Sequence, residues 1–266
     1  MDNAILQGDC LDLMRKMGPA SVDLVFCSPP YEDCRTYGID FKLKGQDWVD
    51  WCVERYVECL RVSKGLVAWV VEGKTRQFRW SATPVLLMAD LHRAGVHLRK
   101  PPAFHRLGIP GSGGPDFWRN DYEFIICATK GGRLPWSDNT ATGKPCKCPP
   151  GGAMSYRRAD GRRRTQVYVL PKKANAGNVL HCKVGGGKMG SKLAHENEAP
   201  FPESLVRPFV QCFCPPGGIV LDPFGGSGTT AAVAIQEGRH FITMDVRQSQ
   251  VNLCGRRVAE NCPLFV

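Results

Sequence analysis

Four consecutive residues, Ser28-Pro29-Pro30-Tyr31, follow directly after the apolar run at 22–27. The Ser28 hydroxyl accepts hydrogen bonds, and consecutive prolines fix φ and present carbonyls, such as that of Pro29, without competing N–H donors. Two such acceptors can hold the protons of an exocyclic amine and draw its nitrogen towards tetrahedral geometry, which makes the lone pair nucleophilic. The Tyr31 ring can stack on a base turned out of a duplex. Alone, the stretch is more typical of a turn with structural prolines. After a strand, and in a chain that also carries "DPFGGSGT", it predicts catalysis at the amine of a nucleobase.

A second stretch, "GGIVLDPFGGSGTTAAVA", has the pattern of a buried strand, a tight glycine turn and a helix. Glycines allow positive φ and close approach of a ligand, and a helix N-terminus offers unpaired N–H groups. The pattern differs from the G-x-G-x-x-G of dinucleotide sites. Its acid at the strand tip would repel a pyrophosphate but suits an ammonium group. The predicted cofactor-binding residues here are Asp222, Phe224, Gly225, Gly226, Ser227, Gly228 and Thr229.

Asp245 lies 23 residues after Asp222, at the end of a further apolar run. This spacing is close to the roughly 20 residues that separate a glycine turn from an acid that binds ribose hydroxyls. S-adenosylmethionine carries an ammonium group and a ribose diol but no phosphate. It is therefore the cofactor that the two acids predict.

The elements that must position these residues alternate along the chain. Short apolar runs rich in β-branched residues predict buried strands, and amphipathic or small-residue patterns predict helices between them. The predicted strands are 4–9, 22–27, 65–73, 122–130, 218–224 and 240–246, and the predicted helices are 48–62, 81–95, 203–213 and 227–238. This alternation indicates an α/β fold with a doubly wound, mostly parallel, Rossmann-like sheet. Ligands bind such sheets beyond the carboxyl ends of the strands, so both turns are expected at one edge.

One segment, 131–195, departs from this pattern because it is rich in glycine, proline and basic residues. It holds thirteen Lys and Arg against two acidic residues, a net charge of +11, so the rest of the chain is nearly neutral although the whole carries +10. A solvated loop is one interpretation. The other, which we favour, is a module whose cations neutralise phosphates and reach base edges. The candidate DNA-binding residues are Arg157, Arg158, Arg162, Arg163, Arg164, Lys172 and Lys173.

The composition narrows the class of protein further. The N-terminus has no signal-peptide pattern, and no apolar run approaches the roughly 18 residues of a membrane span, so we expect a cytoplasmic protein without membrane contact. Thirteen cysteines, scattered and odd in number, favour reduced thiols. Cys146, Cys148, His181 and Cys182 have poor spacing for zinc, so no metal site is predicted.

Together these stretches resemble the β-class amino DNA methyltransferases, in which the catalytic motif precedes the cofactor motif. "SPPY" is similar to the catalytic motif, "LDPFGGSGTT" and "GRHFITMDV" to cofactor motifs, and "GDCLDLM" to the segment that brings Asp9 towards the cofactor's adenine. "HENEAPFPESLVRPFV" resembles the motif that closes over the methionine part, which implies a cofactor contact for His195, although Glu196 replaces the usual proline.

The resemblance implies a methyltransferase domain at 1–130 and 196–266, with 131–195 as the DNA target-recognition region. It implies methyl transfer from S-adenosylmethionine to a base in DNA. It also makes a homodimer one expected assembly state, because family members are often dimers. Such enzymes serve restriction–modification systems, act as orphan regulators or protect phage DNA.

Several alternatives stay open at this point. Serine at position 28 is more typical of enzymes that act on cytosine N4, and aspartate of those that act on adenine N6, so cytosine is favoured and adenine is the alternative. RNA or a protein amide as substrate, and a non-enzymatic nucleic-acid-binding module, are further alternatives. Methylation at C5 is disfavoured because it needs a thiolate in a P-C-Q context. The loop at 108–121, which contains Trp118, is either a mobile element over DNA or a plain connection.

Overall fold

A nine-stranded sheet forms the centre of the computed structural model, which describes residues 3–33, 39–108, 113–146, 153–167 and 172–262. Eight strands follow one another across it in the order β1, β13, β12, β2, β3, β8, β7, β11, and β6 pairs with β8. Their bounds are β1 Ala4–Gln7, β2 Val22–Cys27, β3 Ser63–Val71, β6 His97–Arg99, β7 Ala103–Leu107, β8 Tyr122–Thr129, β11 Val179–Lys183, β12 Ile219–Asp222 and β13 His240–Asp245.

The first five strands of this order, β1 to β3, are parallel to one another. β8 runs antiparallel to β3, β6 and β7, and β11 pairs in parallel with β7. Helices cover both faces: α1 Cys10–Arg15, α2 Gly45–Val62, α3 Thr83–Arg93, α4 Glu203–Phe213, α5 Thr229–Gln236 and α6 Gln248–Asn261. The prediction of a mostly parallel α/β sheet is confirmed.

Strand β2 shows why the central strands of the sheet are mostly apolar. All six of its residues are buried, and the last four alternate between two cores. Val25 and Cys27 pack among α2 and α3, whereas Leu24 and Phe26 pack among α4 and α5. Successive side chains of a strand point to opposite faces, so a strand covered on both sides needs a continuous apolar run.

Two small hairpins lie outside the main sheet. One pairs β4 (Thr75–Arg76) with β5 (Arg79–Trp80). The other pairs β9 (Ala153–Arg157) with β10 (Arg163–Val167), and we call it the basic ribbon. All ten of its strand residues are exposed. The segment 131–195 therefore contains both this exposed hairpin and β11, a strand of the main sheet. The domain boundary at residue 195 stays a prediction.

Arg257 of α6 fastens the C-terminal helices to the glycine turn. Its side chain is fully buried, and its guanidinium lies 2.9 Å from Glu203 Oε1 and donates to Thr229 Oγ1 at 2.9 Å. A buried charge is stable only where such partners surround it. This contact joins the start of α4 to the start of α5, directly behind the glycine turn. Among the described residues, none of the helices combines the length and apolar character that a membrane span requires.

Candidate active site

The two predicted turns meet at one edge of the sheet. β12 and β2 are hydrogen-bonded neighbours with Val220 opposite Leu24 and Leu221 opposite Val25. Because the strands are parallel, the residues that follow them leave the sheet side by side. These are residues 28–31, which we call the Ser28 turn, and residues 223–228, which we call the glycine turn. The expectation that the two strands are neighbours and bring both turns to one edge is confirmed, and ligand binding at that edge stays a prediction.

A cavity of about 490 Å³ opens at this edge. Such a volume suits a small organic ligand. Both turns line it, as does Asp245 at the end of β13. The predicted residues on its wall are Asp9, Ser28, Pro29, Pro30, Tyr31, Phe224, Gly225, Gly226, Ser227, Thr229 and Asp245. Asp222, Gly228 and His195 are not part of that wall.

The Ser28 turn is held by its neighbours. Ser28 Oγ donates to Tyr31 Oη at 3.4 Å, and Tyr31 Oη donates to Glu123 Oε2 at 2.7 Å. Trp48 Nε1 donates to the Pro30 carbonyl at 2.8 Å, which fastens the turn to α2. With its proton directed at Tyr31, the Ser28 oxygen presents lone pairs to another donor. The geometry therefore suits an acceptor for a substrate N–H.

Glu123 and Arg106 are cavity residues that sequence reasoning missed. Arg106 Nη1 lies 3.0 Å from Glu123 Oε1, and Arg106 Nη2 donates to the Asn120 carbonyl at 2.6 Å. All three residues line the cavity. The sequence offered one signal for Glu123, a lone acid near the start of the apolar run that forms β8. In the structure this residue is only 8% exposed. It joins the Tyr31 hydroxyl to a cation on the neighbouring strand.

The glycine turn lies directly against β13. A Cβ atom at Gly225 would come within 1.9 Å of Thr243 Oγ1, so a larger residue does not fit there. Gly225 N donates to the Met244 carbonyl at 2.7 Å, and Gly226, with φ of +48°, donates to Asp245 Oδ2 at 3.1 Å. The absence of side chains leaves backbone atoms on the cavity wall.

Asp245 is positioned as a ribose-binding acid would be. Its Oδ1 accepts from Arg247 N at 2.9 Å and its Oδ2 from Gly226 N, so each oxygen has one backbone donor. A carboxylate oxygen can accept a second bond, which leaves capacity for two hydroxyls. The residue is only partly exposed and lies on the cavity wall. This supports the predicted contact with a ribose diol.

Asp222 has a different position from the one its predicted role implies. Its carboxyl group is 2% exposed beneath the turn, where Oδ1 accepts from Phe224 N at 3.0 Å. Burial, with a smaller contribution from the nearby charge of Asp245, raises the pKa of Asp222 to about 7, although the bond from Phe224 N opposes the shift. The carboxyl shapes the turn, and its contact with an ammonium group stays a prediction.

Replacing Asp222 by asparagine is expected to flatten the dependence of stability on pH. The unfolded chain releases this proton near its ordinary pKa of about 4, but the folded chain retains it until about pH 7. The folded state therefore binds more protons across that window, and the wild-type free energy of unfolding falls as pH rises through it. Relative to wild type, Asp222→Asn should gain up to roughly 4 kcal/mol between pH 4 and 8.

Urea unfolding of both proteins at pH 5 and pH 8 measures this difference. Asp160→Asn, at an exposed turn of the basic ribbon, is the matched control, and its curve should run parallel to the wild type. A parallel curve for Asp222→Asn as well would contradict the raised pKa.

Aromatic rings and one acid line the cavity beside the glycine turn. The Trp51 ring lies 5.1 Å from Phe41 and 5.8 Å from Phe224, measured between centroids. Asp9 caps α1 by accepting a hydrogen bond from Leu11 N at 2.8 Å. Its Oδ2 lies 3.1 Å from the Arg55 guanidinium, and that guanidinium stacks over the Trp51 ring. Flat apolar walls beside a fixed acceptor fit a purine with an exocyclic amine. This supports Asp9 as an adenine contact.

His195 is not brought to the cavity. It lies in a short 3₁₀ helix, Lys192–Glu196, and its side chain is exposed. Asn197, two residues later, lines the cavity instead, and its Nδ2 lies 2.9 Å from where a Cβ of Gly226 would be. The resemblance located the right segment, but the chain turns before its polar side chain reaches the wall.

The seven predicted DNA-binding cations are all exposed. Arg157 and Arg163 pair across the basic ribbon, and Arg164 lies opposite Tyr156. Arg158 and Arg162 flank the turn that joins the two strands. Lys172 and Lys173 lie further along, where Lys173 forms an isolated bridge with Pro145. The structure thus brings five arginines together on one hairpin.

Two thiols near the site are unsuited to covalent catalysis. Burial raises the pKa of Cys10, which lines the cavity, to about 12, with a further contribution from Asp9. Burial also raises the pKa of Cys27, next to Ser28, well above its ordinary value. A thiol is nucleophilic only as the thiolate. Cys148 of the rejected zinc set lies outside the described residues, within which no cluster of three or more His, Cys, Asp or Glu could hold a metal ion.

Comparisons with known proteins agree with the family resemblance of the sequence motifs. A family model described as "DNA methylase" matches residues 22–255. The chain is 27% identical over 259 residues to the orphan methyltransferase M.BamHII of Bacillus amyloliquefaciens, covering 92% of each. It is 26% identical to the Escherichia coli DNA adenine methyltransferase YhdJ, covering 96% of this chain and 82% of that one. The fold is similar to the solved structure of the cytosine-N4-specific PvuII DNA methyltransferase, with a TM-score of 0.71 at 19% identity, covering 97% and 86% of the two chains.

Proposed function

Because this chain belongs to the N6/N4 DNA methylase family, and so transfers a methyl group from S-adenosylmethionine to an amino group in DNA, we propose that its target is N4 of cytosine. The cytosine assignment depends on serine at position 28, and the cavity that Ser28 and the glycine turn both line supports the transfer itself. One cavity can hold a flipped base and a methyl donor in contact. Family membership also sets aside RNA, protein amides and a purely binding role as the main function.

The residues of the cavity fit the methyl donor. Asp245 offers acceptors for a ribose diol, Asp9 and the rings of Phe41 and Trp51 suit an adenine, and the backbone of Gly225 allows close approach. When bound, S-adenosylmethionine supplies an electrophilic methyl group on its sulfonium. The hydrogen-bond capacity and shape of the wall match the ribose and the adenine, and Asp222 is the predicted partner of the ammonium.

Ser28 and Pro29 act on the target amine. The amine nitrogen is conjugated with its ring, so its lone pair becomes available only when both N–H protons are drawn out of the ring plane. The Ser28 oxygen, with its own proton directed at Tyr31, accepts one of them, and the Pro29 carbonyl accepts the other. Tyr31 stacks on the base while its hydroxyl stays bonded to Glu123. The protonated thiols of Cys10 and Cys27 are consistent with direct transfer without a covalent enzyme intermediate.

Serine at position 28 favours cytosine, and a relative supports the second candidate. YhdJ, which is 26% identical, is named as an adenine methyltransferase. Adenine N6 presents the same amine next to a ring nitrogen acceptor, so the same acceptors serve it. Incubating the protein with methyl donor and DNA of known sequence, followed by nucleoside mass spectrometry, distinguishes the two products. N4-methylcytosine is expected, N6-methyladenine would replace our assignment, and neither product would reject it.

The basic ribbon is the proposed target-recognition surface. Replacing Arg163 and Arg164 by glutamine should weaken binding to duplex DNA, because exposed cations there release counterions from phosphates. The slope of log affinity against log salt should fall by about 0.9 for each lost phosphate contact. Fluorescence anisotropy over a salt series measures this slope. Lys16→Gln, an exposed lysine outside the segment, is the matched control and should leave the slope unchanged.

A further inference from the structure

Three exposed aromatic side chains lie on two segments whose neighbouring residues line the cavity. Phe78 is 70% exposed, Trp118 is 95% exposed and Phe117 is 37% exposed. The rings of Phe78 and Phe117 contact each other edge to face, with centroids 6.1 Å apart. We call these three residues the mouth aromatics. Scattered exposed apolar residues are ordinary, but a group of rings at the entrance to a catalytic cavity indicates a binding surface.

The mouth aromatics are placed by residues of the cavity itself. Phe78 lies at the tip of the β4–β5 hairpin, which starts directly after Glu72, Gly73 and Lys74, all on the cavity wall. Trp118 comes two residues before Asn120, which also lines the cavity. The two segments therefore approach one entrance from different parts of the chain.

The hairpin is anchored to the catalytic segment. Arg76 Nη1 lies 2.9 Å from Asp33 Oδ2, and Lys74 Nζ contacts the carbonyl of the same residue. Asp33 is only two residues beyond Tyr31. Behind the hairpin, Trp80 Nε1 donates to Glu72 Oε1 at 3.0 Å. The tip is thus held at a set position relative to the residues that bind the base.

The backbone at the tip is unfavourable for the residues it contains. Gln77 and Phe78 have φ of +47° and +62°, the left-handed region. Tight two-residue hairpins adopt this conformation, but they favour Asn-Gly because larger residues are strained there. Strain of this kind clusters at functional sites. A glycine would relieve the strain but would remove the ring from the tip.

The charge around the rings suits a nucleic acid. Arg79 flanks Phe78 on the hairpin and is exposed, and Arg119 follows Trp118. Arg76 and Arg119 also have acidic neighbours in Asp33 and Asp121. Aromatic rings interleaved with arginines match the stacked bases and flanking phosphates of DNA.

We propose that Phe78 inserts into the duplex at the position that the target base leaves, supported edge-on by Phe117. The inference rests on the proposed function, because only an enzyme that extrudes a base creates such a gap. Extrusion removes the stacking of that base on its neighbours, and an aromatic or apolar side chain inserted between base steps replaces part of it. Phe78 is therefore a residue that stabilises the flipped state, and it does not act on the amine.

Phe78→Gly tests this role without added backbone strain. Two duplexes are compared, both carrying a sequence that the wild-type enzyme methylates. In one the target base is normally paired, and in the other it faces an abasic site, so that extrusion is easy. On the paired duplex, single-turnover methylation by Phe78→Gly should fall by about ten- to a hundredfold, the range expected for one lost stacking contact. On the abasic duplex the loss should be below about threefold, because stacking is less of a barrier.

Phe78→Trp retains a ring and should stay close to wild type on both duplexes. Val57→Ala, which removes a 44% exposed apolar side chain from α2, is the matched control and should be neutral. Equal losses on the two duplexes, or no loss on the paired one, would overturn the insertion role. If the wild-type protein methylates no DNA sequence, so that no such duplex can be prepared, the proposed function itself is rejected, and the two failures are therefore distinguishable.

Discussion

Ser28→Ala is expected to reduce single-turnover methyl transfer by about 10²- to 10⁴-fold, the range for loss of a group that acts on a proton at the reacting atom. The alanine removes the oxygen that accepts one N–H of the target amine, so the lone pair stays conjugated with the ring. The side chain lies on the cavity wall but is not part of the glycine turn, the proposed cofactor-binding segment. The affinity for S-adenosylmethionine, measured by calorimetry, should therefore stay within about threefold of wild type.

Two further variants make the Ser28 result specific. Ser28→Asp keeps an acceptor and should retain clearly more transfer than the alanine variant. Ser21→Ala is the matched control, because Ser21 lies just before the other end of β2 and its Oγ has no hydrogen-bond partner within the described residues. It should leave the rate unchanged. Transfer by Ser28→Ala at the wild-type rate would remove Ser28 from the mechanism.

Gly225→Ala should abolish measurable binding of S-adenosylmethionine and lower the free energy of unfolding by about 1–3 kcal/mol, the usual cost of overpacking. The new Cβ would lie 1.9 Å from Thr243 Oγ1, so the turn must move away from β13. That movement breaks the bond from Gly226 N to Asp245 and displaces Asp245, the proposed ribose contact. Calorimetry and urea unfolding measure the two effects.

A second substitution at the contact separates steric from chemical causes. Thr243 Oγ1 is buried and has no hydrogen-bond partner in the described part of the chain, so Thr243→Ala alone should cost little. Combined with Gly225→Ala it removes the clashing atom, and the double variant should recover most of the lost stability and part of the binding. Gly255→Ala, in α6 with open space around its Cβ, is the control and should be neutral or stabilising. Additive losses in the double variant would contradict the steric account.

The central strands and both catalytic turns were predictable because they depend on local pattern. β2, β12 and β13 are apolar runs that end in polar, Gly or Pro residues, and the structure has all three near the predicted bounds. Strands at the far edge were not predicted. β7, with the sequence "AFHRL", mixes apolar residues with polar ones that face the cavity or solvent. Its pattern therefore does not indicate a strand.

The remaining site residues depend on contacts between distant parts of the chain. Glu123 meets Tyr31 only because β8 runs antiparallel to β3, and no local pattern contains that direction. Asn197 lines the cavity and His195 does not, because the short 3₁₀ helix that carries His195 ends at Glu196 and the chain is extended at Asn197. The basic ribbon has no buried face, so its strands lack the apolar alternation by which strands are recognised.

The strand order of the sheet has a consequence for how the chain folds. β12, which leads into the glycine turn, lies between β13 and β2. About 190 residues separate β2 from β12 in sequence. During synthesis β2 emerges early but lacks this neighbour until the last fifth of the chain is made. Closing so long a loop is slow, and an unpaired apolar edge favours aggregation meanwhile. We therefore expect late, slow folding of the sheet centre, assisted by chaperones, with no cofactor bound to nascent chains.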